Sequence, residues 1–538
     1  MLWLPAVAAI FLILGLWMGR ALDSNSSISR SRQKLNQVFD IIEARYVDPV
    51  DFDSLVELTI PELLRNLDPH SAYIPADHRT AANRDLEGSF YGIGIHFDMF
   101  NDTLHVLEVT NGGGADEAGI LPGDRILEVD GENIAGVRAD TEYLFSLLRG
   151  EKDTHVKLGV KRSNTPEMIY FDIVRAEVPA SPIDASYMLN DSVGYIRLGK
   201  FSENTYGEFL TVLGQLRYDG ATNYVIDLRD NGGGYMNPAV LIANEFLDPE
   251  RLIVATKGRT PADQSIIVSD GTGAFSDERI VVLINEYTAS SSEILTGALQ
   301  DNDRALVIGR RSFGKGLVQS PFELADSSEF RLTVQRYYTP SGRCIQKTYR
   351  PGHNNEYDTE IYERYRGELF SVDSIKVDSS LVFSTTTGRK VYGGGGIIPD
   401  VFVPTDTSDI SGFYLKLANK GLIRKFAYNY AETHRETLNE SRDVNEMLEK
   451  LPSDYILVDL FLRYIRNDYD EPTRWFYVNK SGKLIVNQIK AWIARDIVGL
   501  DGYYQIINER DPMVVEALRQ IENGGADFPL TDNQPTEK

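Results

Sequence analysis

Two short segments place a hydroxyl group and an amine where together they could form a nucleophile and its base. The first segment, 288–294, reads Thr-Ala-Ser-Ser-Ser-Glu-Ile and follows the apolar run 279–284. An apolar run, a small polar turn and a stretch with helical spacing predict a buried strand that leads into a helix. The first N–H groups of such a helix face negative charge that develops on a substrate. The candidate nucleophiles are therefore Ser290, Ser291 and Ser292.

A serine nucleophile needs a base, and the usual base is histidine. The chain has 7 histidines, but none lies between residues 156 and 352, where strand-like runs alternate with helical patterns. The second segment, 312–316, instead offers Lys315 between two glycines, shortly after the apolar run 305–309. Desolvation disfavours a charged lysine, and a lysine base needs its pKa lowered from about 10.4 to roughly 7, at a cost on the order of 4 kcal/mol. Taken singly, a serine-rich turn also fits an ordinary helix cap, and a Gly-Lys-Gly loop also fits a solvated surface.

Taken together, the two segments resemble the C-terminal processing (tail-specific) proteases, which are serine peptidases with a Ser-Lys dyad. The family carries Ser-Ala-Ser-Ala-Ser-Glu-Ile and then Thr-Phe-Gly-Lys-Gly-x-Val-Gln, and this chain has Ser-Phe-Gly-Lys-Gly-Leu-Val-Gln at 312–319. The resemblance implies that Ser290 is the nucleophile, that Lys315 is the base and that Gln319 orients the lysine. Ser291 stands where the family has alanine. Ser292 therefore stays open as an alternative attacking hydroxyl.

A glycine-rich loop, Asp-Asn-Gly-Gly-Gly at 230–234, follows the strand-like run 224–229. Consecutive glycines let the backbone approach a ligand closely, although such a loop alone is equally compatible with a plain turn. The resemblance implies that this loop helps to form an oxyanion hole, with the N–H of Gly233 as one donor and the N–H of Ser291 as the second. Phosphate binding is disfavoured because no Gly-Lys-[Ser/Thr] follows the glycines.

The region 88–176 has a different texture, with short strand-like runs separated by glycine turns. It contains Ala-Gly-Ile-Leu-Pro-Gly-Asp-Arg-Ile at 118–126 and resembles a PDZ domain of the bacterial type. PDZ grooves bind an extended peptide as an added strand and capture its terminal carboxylate with backbone N–H groups. The resemblance makes Tyr91, Gly92, Ile93 and Gly94 the carboxylate loop. It also places Arg149 where some relatives have an arginine that couples peptide binding to activation, although a solvated arginine at a helix end fits equally well.

The whole pattern predicts a multidomain α/β protein, with a PDZ domain inserted ahead of an α/β protease core. The Leu-Asp-Pro-His-Ser element at 67–71 also resembles the family, and we interpret His70 as structural. A polar stretch at 346–390 reads as an insertion over the core. The expected divisions are a signal anchor or signal peptide (1–20), an N-terminal helical region (32–87), the PDZ domain (88–176), the protease core (177–406) and a C-terminal helical domain (407–538).

Composition narrows the possible partners. With 538 residues and a net charge of −24, nucleic acid is a poor partner because phosphate binding needs basic patches. The lone Cys344 excludes an internal disulfide and a cysteine-based metal site, and a lysine base requires no metal or cofactor. The apolar run 2–18 favours an uncleaved signal anchor over a cleaved signal peptide, which predicts a position on the periplasmic side of the cell envelope, attached to the inner membrane. Residues 531–538 are expected to be disordered.

The resemblance, together with the apolar run 2–18, implies a serine endopeptidase that cleaves exported proteins near their C-termini. The PDZ domain would present the substrate tail or gate the site, and a second copy or an activating adaptor is a further expected partner. The alternative from another class is a catalytically inactive PDZ scaffold of the envelope. A conventional Ser-His hydrolase is a third option, which would require His70 or His353 to reach the site.

Overall fold

The structure, a computed structural model, describes residues 27–524 apart from residues 101, 139, 163–164 and 473–474. Its contacts divide the chain into two units, Met1–Leu67 and Asp68–Lys538. The first unit contains helices α1 (Ser27–Arg45) and α2 (Phe52–Arg65), which agrees with the helical character expected of the N-terminal region, while its bounds 32–87 stay a prediction. Within the described residues, no helix has the length and apolar character to span a bilayer. The predicted anchor 2–18 and the tail 531–538 lie outside the described residues.

The second unit opens with β1 (Ala72–Ile74) and α3 (Ala76–Glu87), and then forms the region with the PDZ-like pattern. Its strands join in the order β3-β4-β5-β7-β8, with β6 on β5, while β2 pairs antiparallel with β9. The chain therefore enters and leaves this region through one short ribbon. The elements are β2 (Ser89–Gly92), β3 (Ile95–Phe100), β4 (Thr103–Val109), α4 (Gly114–Ala118), β5 (Arg125–Val129), β6 (Glu132–Asn133), α5 (Thr141–Leu148), β7 (His155–Lys161), β8 (Ile169–Val174) and β9 (Ala176–Pro179).

The next region alternates strands and helices, as its sequence pattern predicts. Its elements are β10 (Ile183–Asn190), β11 (Val193–Leu198), α6 (Thr205–Tyr218), β12 (Asn223–Asp227), α7 (Met236–Phe246), β13 (Leu252–Gly258), a 3₁₀ turn (Pro261–Asp263), β14 (Gln264–Val268), β15 (Arg279–Ile284), α8 (Ser291–Asp301), β16 (Ala305–Gly309), β17 (Leu317–Glu323) and β18 (Glu329–Tyr338).

The insertion and the C-terminal region complete the chain. The insertion carries α9 (Asn354–Arg364), a 3₁₀ turn (Val372–Ser374) and the hairpin β19 (Val382–Ser384) and β20 (Lys390–Tyr392), and β21 (Val401–Phe402) follows. The helices of the C-terminal region are α10 (Gly412–Asn419), α11 (Leu422–Thr433), α12 (Arg435–Leu438), α13 (Val444–Lys450), α14 (Asp454–Tyr469), α15 (Trp475–Ile497), α16 (Leu500–Asn508) and α17 (Pro512–Glu522).

A mixed sheet positions the two segments that carry the candidate chemistry. Its order is β10-β11-β12-β15-β16-β21, and β11, β12, β15, β16 and β21 run parallel. Because parallel strands end at the same edge, the glycine loop after β12, the serine turn after β15 and the lysine loop after β16 meet there. A second sheet, β1-β18-β13-β14 with β17 on β18, lies beside this edge and carries Gln319 on β17.

Both faces of the mixed sheet are covered, which explains why its strands read as continuous apolar runs. Successive side chains of β15 alternate between two cores: Ile280, Val282 and Ile284 pack with α6, α7 and α8, whereas Val281 and Leu283 pack with α17. A helix more than 200 residues downstream in the printed sequence therefore supplies the second layer over the strands that carry the site.

This layer predicts an asymmetry between two neighbouring valines of α17. Val514 is fully buried against the sheet, whereas Val515 is 48% exposed. We expect Val514→Asp to lower the free energy of unfolding by roughly 3 kcal/mol or more, because it buries an unpaired charge. Val515→Asp, the matched control, should stay close to wild type in a thermal melt. Equal melting temperatures for the two variants would contradict this packing.

Candidate active site

The serine turn holds Ser290 in a strained backbone conformation at the start of α8. Ser290 has φ +57° and ψ −117°, a positive-φ conformation outside the left-handed helical region, which costs a non-glycine residue on the order of 1–3 kcal/mol. Its N–H donates to Oε2 of Glu293 at 2.9 Å. The turn therefore presents the side chain of Ser290 at the positive end of the helix dipole, in the manner of a nucleophile elbow.

The three candidate hydroxyls differ in their surroundings. The Ser291 Oγ–H donates to the carbonyl of Gly234 at 2.8 Å, and the Ser292 Oγ–H donates to the carbonyl of Asn231 at 3.0 Å. Both of these side chains are buried, whereas Ser290 is partly exposed. Ser291 and Ser292 thus tie the helix start to the glycine loop, and Ser290 is the hydroxyl that an incoming peptide can reach.

Lys315 lies in the loop between β16 and β17, where its amine donates a hydrogen bond to the side chain of Gln319. Its Nζ donates to Oε1 of Gln319 at 3.0 Å, and Nε2 of Gln319 in turn donates to the carbonyl of His70 at 2.5 Å. Burial lowers the pKa of the Lys315 ammonium, although the nearby carboxylates of Glu293 and Asp68 pull in the opposite direction. The structure therefore brings Lys315 and Gln319 together in a setting that favours the neutral amine.

A fully buried carboxylate, Glu293, joins the serine turn to the lysine loop. Its Oε2 accepts the N–H groups of both Ser290 and Lys315 at 2.9 Å, while Oε1 accepts the N–H of Gly314 at 2.8 Å and the hydroxyl of Ser312. The backbone nitrogens of Ser290 and Lys315 thus share one oxygen atom as their partner. Burial raises the pKa of Glu293 to about 7, even though all four donors favour the ionised form.

A buried tyrosine, Tyr337 on β18, makes a second link between the same two segments. Its hydroxyl bridges the carbonyl of Lys315 at 2.7 Å and the carbonyl of Ser290 at 3.1 Å. Glu293 thus gathers the N–H groups on one side, and Tyr337 gathers the carbonyls on the other. In both Ser290 and Lys315, the backbone N–H and the backbone carbonyl are therefore each hydrogen-bonded to a buried side chain.

The glycine loop lies against the serine turn, and the N–H of Gly233 has a partner within the loop itself. A Cβ atom on Gly233 would lie 2.7 Å from Cβ of Ser290 and 2.9 Å from N of Ser291, so this position must stay free of a side chain. The N–H of Gly233, expected to be an oxyanion donor, instead donates to Oδ1 of Asn231 at 2.9 Å. In this structure the N–H of Gly233 is therefore already engaged, and its role as an oxyanion donor stays a prediction.

An ion-pair cluster supports the glycine loop from below. Fully buried Asp227 accepts the hydroxyl of Tyr195 at 2.6 Å and the guanidinium groups of Arg197 at 2.9 Å and Arg229 at 2.6 Å. Burial alone would raise the pKa of the Asp227 carboxyl, but the charges of Arg229 and Arg197 hold this pKa well below its usual range. Arg229 also pairs with Asp511 at 2.6 Å, which ties this loop to the start of α17.

His70 lies beside the lysine without acting on a serine. Its Nε2 is 2.8 Å from the hydroxyl of Tyr357, and its carbonyl holds Gln319. Burial and the charge of Lys315 lower the pKa of His70 to about 4, so the ring is neutral at physiological pH. The other histidine of the Ser-His option, His353, is exposed and pairs with Glu356. This geometry favours the structural interpretation of His70.

The residues of the expected peptide groove form a separate group in the PDZ-like region. Tyr91 and Gly92 end β2, buried Ile93 follows them, and Gly94 has φ +78° at the turn into β3. Arg149 lies at the end of α5, with its guanidinium carbon 4.6 Å from the ring centre of Phe90 and 4.3 Å from that of Phe145. It thus connects the groove helix to the β2–β9 ribbon instead of extending into solvent.

Some contributors had no signal that sequence reasoning could use. Glu293 was visible as part of the serine motif, but its role as a shared acceptor depends on the lysine loop folding onto it. Asn231 precedes the loop glycine by two residues, and an Asn side chain that accepts from a backbone N–H two positions on is a recognisable turn pattern. Tyr337 and Tyr357 offered no such clue. Within the described residues, no group of three or more His, Cys, Asp or Glu side chains is arranged to hold a metal ion.

Comparisons with known proteins agree with this architecture. Peptidase family S41 matches residues 192–354, a PDZ domain matches residues 105–162, and a family of unknown function matches residues 413–499. A carboxy-terminal-processing protease of Bartonella bacilliformis is 34% identical over 349 residues, which cover 63% of this chain and 79% of that protein. A carboxyl-terminal-processing protease of Synechocystis is 38% identical over 296 residues, or 54% of this chain and 68% of that protein. Among solved structures, a photosystem II D1 C-terminal processing protease is 29% identical, covers 62% of this chain and 90% of its own, and has a TM-score of 0.35.

A PDZ domain and an α/β core with a serine turn and a lysine loop define a serine-type peptidase. The chain belongs to peptidase family S41, whose members among these relatives are named carboxy-terminal-processing proteases.

The space beside Gly233 generates a first prediction for the site. Gly233→Ala should reduce turnover by about 100-fold or more, because the methyl group would press on Ser290 and cover the N–H of Ser291, and because φ is +99° at this position. Gly207→Ala is the matched control, since nothing lies within 4 Å of its Cβ position on α6. The measurement is peptide cleavage alongside a thermal melt. A fully active Gly233→Ala variant would contradict the crowding.

The buried carboxylate generates a second prediction, in which the sign follows from linkage. Because the pKa of Glu293 is raised from 4.5 to about 7, the folded protein retains a proton here that the unfolded chain releases between these pH values. The contribution of Glu293 to stability is therefore largest below pH 4.5 and is lost as the pH rises to 7, over a range on the order of 3 kcal/mol.

Glu293→Gln lacks this titration, so its melting temperature should improve relative to wild type as the pH rises through this window. Exposed Glu509→Gln is the control and should follow wild type throughout. Cleavage by Glu293→Gln should fall by at least tenfold at every pH, since the amide nitrogen would face at least one backbone N–H donor in either orientation of the side chain. A melting difference that is constant with pH would refute the linkage.

Proposed function

We propose that this protein is a serine endopeptidase that cleaves polypeptides near their C-termini, with Ser290 as nucleophile, Lys315 as base and Gln319 as the residue that orients the base. The observation that carries the proposal is the half-buried amine of Lys315, which donates to Gln319, while the backbone N–H of Lys315 shares one oxygen of Glu293 with the N–H of the strained Ser290. The names of the relatives support processing at the C-terminus as the reaction.

The chemistry begins with a neutral lysine. Burial favours this form, and the acceptor on Gln319 takes one N–H of the amine, which orients its lone pair. The Ser290 oxygen attacks the peptide carbonyl carbon while its proton passes to Lys315. The tetrahedral intermediate collapses as the C–N bond breaks, and Lys315 returns the proton to the leaving amine. Water then hydrolyses the ester on Ser290 by the same steps, with Lys315 taking a proton from the water.

Negative charge on the intermediate needs a donor near Ser290. The N–H of Ser291 at the start of α8 is that donor in this proposal, supported by the helix dipole. Gly233 contributes by leaving the adjacent space open. Its own N–H would join only after release from Asn231.

The PDZ domain supplies substrate selection in this proposal. The loop of Tyr91, Gly92, Ile93 and Gly94 would receive the terminal carboxylate of the substrate tail, and α5 would line the peptide. Because Arg149 touches both the groove helix and Phe90 of the ribbon, a peptide that displaces it would alter the connection to the core. Activity on exported proteins, at the periplasmic side of the inner membrane, rests on the run 2–18 alone. Association with a second copy or an adaptor stays a prediction.

The test compares wild type with Ser290→Ala, Ser292→Ala and Lys315→Ala. The full-length proteins are incubated with an unfolded reporter that ends in an apolar tail, and in parallel with a fluorophosphonate, which labels an activated serine. Ser290→Ala and Lys315→Ala should lose cleavage and labelling by at least 1,000-fold, since the nucleophile and its base act as a unit. Ser292→Ala should keep measurable activity.

Each contrary result has a definite meaning. Loss in Ser292→Ala alone would move the nucleophile by two positions, and activity in Lys315→Ala would remove the dyad. A wild-type protein that binds tail peptides through its PDZ domain, yet neither cleaves nor reacts with the probe at any pH, would favour the inactive scaffold.

A further inference from the structure

Among the buried side chains of the insertion after β18 that lie near the lysine loop, Tyr357 on α9 contacts two of the groups around Lys315. Tyr357 is 4% exposed, and its ring packs edge-on against His70 at a centroid distance of 5.3 Å. The ammonium of Lys347 lies 3.9 Å from the centre of the same ring. A tyrosine in these surroundings needs partners for its hydroxyl, because an unpaired buried polar group is costly.

The first partner leads to the side chain that holds the base. The Tyr357 hydroxyl is 2.8 Å from Nε2 of His70, and the carbonyl of the same His70 accepts the amide of Gln319, whose oxygen accepts Lys315. Asp68 fixes this turn by accepting the N–H of His70 at 2.9 Å. Restraining the ring of His70 therefore restrains the carbonyl that selects the orientation of the Gln319 amide.

The second partner leads to the backbone of the base. Nε2 of Gln346 is 3.3 Å from the Tyr357 hydroxyl, while Oε1 of Gln346 accepts the N–H of Gly316 at 2.8 Å. Gly316 is the residue after Lys315. The Tyr357 hydroxyl thus contacts His70, whose carbonyl holds Gln319 beside the lysine amine, and Gln346, which holds the backbone N–H after Lys315.

The polarity of these bonds is consistent along the whole path. Gln346 is a donor to the hydroxyl, and a neutral His70 offers Nε2 as an acceptor when its proton is on Nδ1. The hydroxyl of Tyr357 can therefore accept from one side and donate to the other, which phenylalanine cannot do.

We propose that Tyr357 is a positioning residue for Lys315, and that its hydroxyl holds Gln319 and the lysine loop in the geometry that activates Ser290. This inference rests on the proposed function and adds to it a residue from the insertion, outside both catalytic segments. Loss of the hydroxyl removes the hydrogen bonds to His70 and Gln346, admits water to the Lys315 amine and raises the pH at which this amine becomes neutral.

The charged groups around the path stay in place when only the hydroxyl is removed. Lys315 is faced by Glu293 of α8, Asp68 and His70 of the turn before β1, and Arg331 of β18. Tyr357 is accompanied by Lys347 and by Glu360 and Arg364 of its own helix. A shift in the pH profile of Tyr357→Phe therefore reports the setting of Lys315 and not the loss of a charge.

The experiment measures the rate of fluorophosphonate labelling and the kcat and KM for the reporter, from pH 5 to 10, in full-length Tyr357→Phe. Tyr362→Phe is the control, since Tyr362 lies on the same helix but is 67% exposed. We expect labelling and kcat at pH 7 to fall roughly tenfold, KM to stay within about twofold, and the acidic limb to move to higher pH so that the deficit shrinks toward pH 10. Tyr362→Phe should match wild type.

His70→Asn tests the same bond from the other side and keeps the inference testable if Tyr357→Phe does not fold. The double variant should be no slower than the slower single variant, because both changes break one path. A loss that is uniform over pH and equal to the unfolded fraction would overturn the positioning role. If labelling of wild type depends on Lys315 while Tyr357→Phe matches Tyr362→Phe, the positioning role fails and the dyad stands. If Lys315→Ala still reacts, the dyad itself fails.

Discussion

The site depends on one carboxylate that is removed from water and surrounded by donors. Glu293 gathers two N–H groups of the lysine loop, one N–H of the serine turn and one hydroxyl, and it makes each of these bonds in a low-dielectric setting. A buried charge is tolerated only when its hydrogen-bonding capacity is used, and this one uses both oxygens twice. The requirement fixes two loops from different parts of the chain relative to each other before any substrate is present.

The strain at Ser290 follows from the same arrangement. A non-glycine residue with φ +57° persists because its N–H is held by Glu293 and its carbonyl by Tyr337. The conformation exposes the hydroxyl of Ser290, while the next two hydroxyls turn inward to the glycine loop. The backbone conformation of the serine turn is thus held by backbone contacts, which leave the hydroxyl of Ser290 partly exposed.

Much of this arrangement could be predicted from the sequence, because local patterns carry it. The strands at 279–284 and 305–309 are as expected, since sheets covered on both faces produce unbroken apolar runs. The order of the site segments along the chain then places them at one sheet edge. Patterns of this kind record burial and periodicity, and they do not record which distant groups meet.

Most of the features that escaped prediction are contacts between distant groups. His70 and Tyr357 stand 287 positions apart, and neither has a neighbour that marks the contact. One feature that escaped prediction is local: the Asn231 side chain accepts the N–H of Gly233, two residues on, while the oxyanion role of Gly233 stays a prediction. The role of α17 depends on tertiary packing, because its apolar stripe identifies an amphipathic helix but not the sheet that it covers.

The position of α17 also sets an order of events during synthesis. Parallel sheets need both faces covered, and residues 512–522 provide the second cover for strands that were made some 200 residues earlier. Arg229, next to the glycine loop, likewise forms its ion pair with Asp511 only after residue 511 has been synthesised. A nascent chain that already carries the glycine loop, the serine turn and the lysine loop therefore still has one uncovered face of its sheet. The sheet that carries the serine turn and the lysine loop therefore lacks one of its two covering layers until this late helix has left the ribosome.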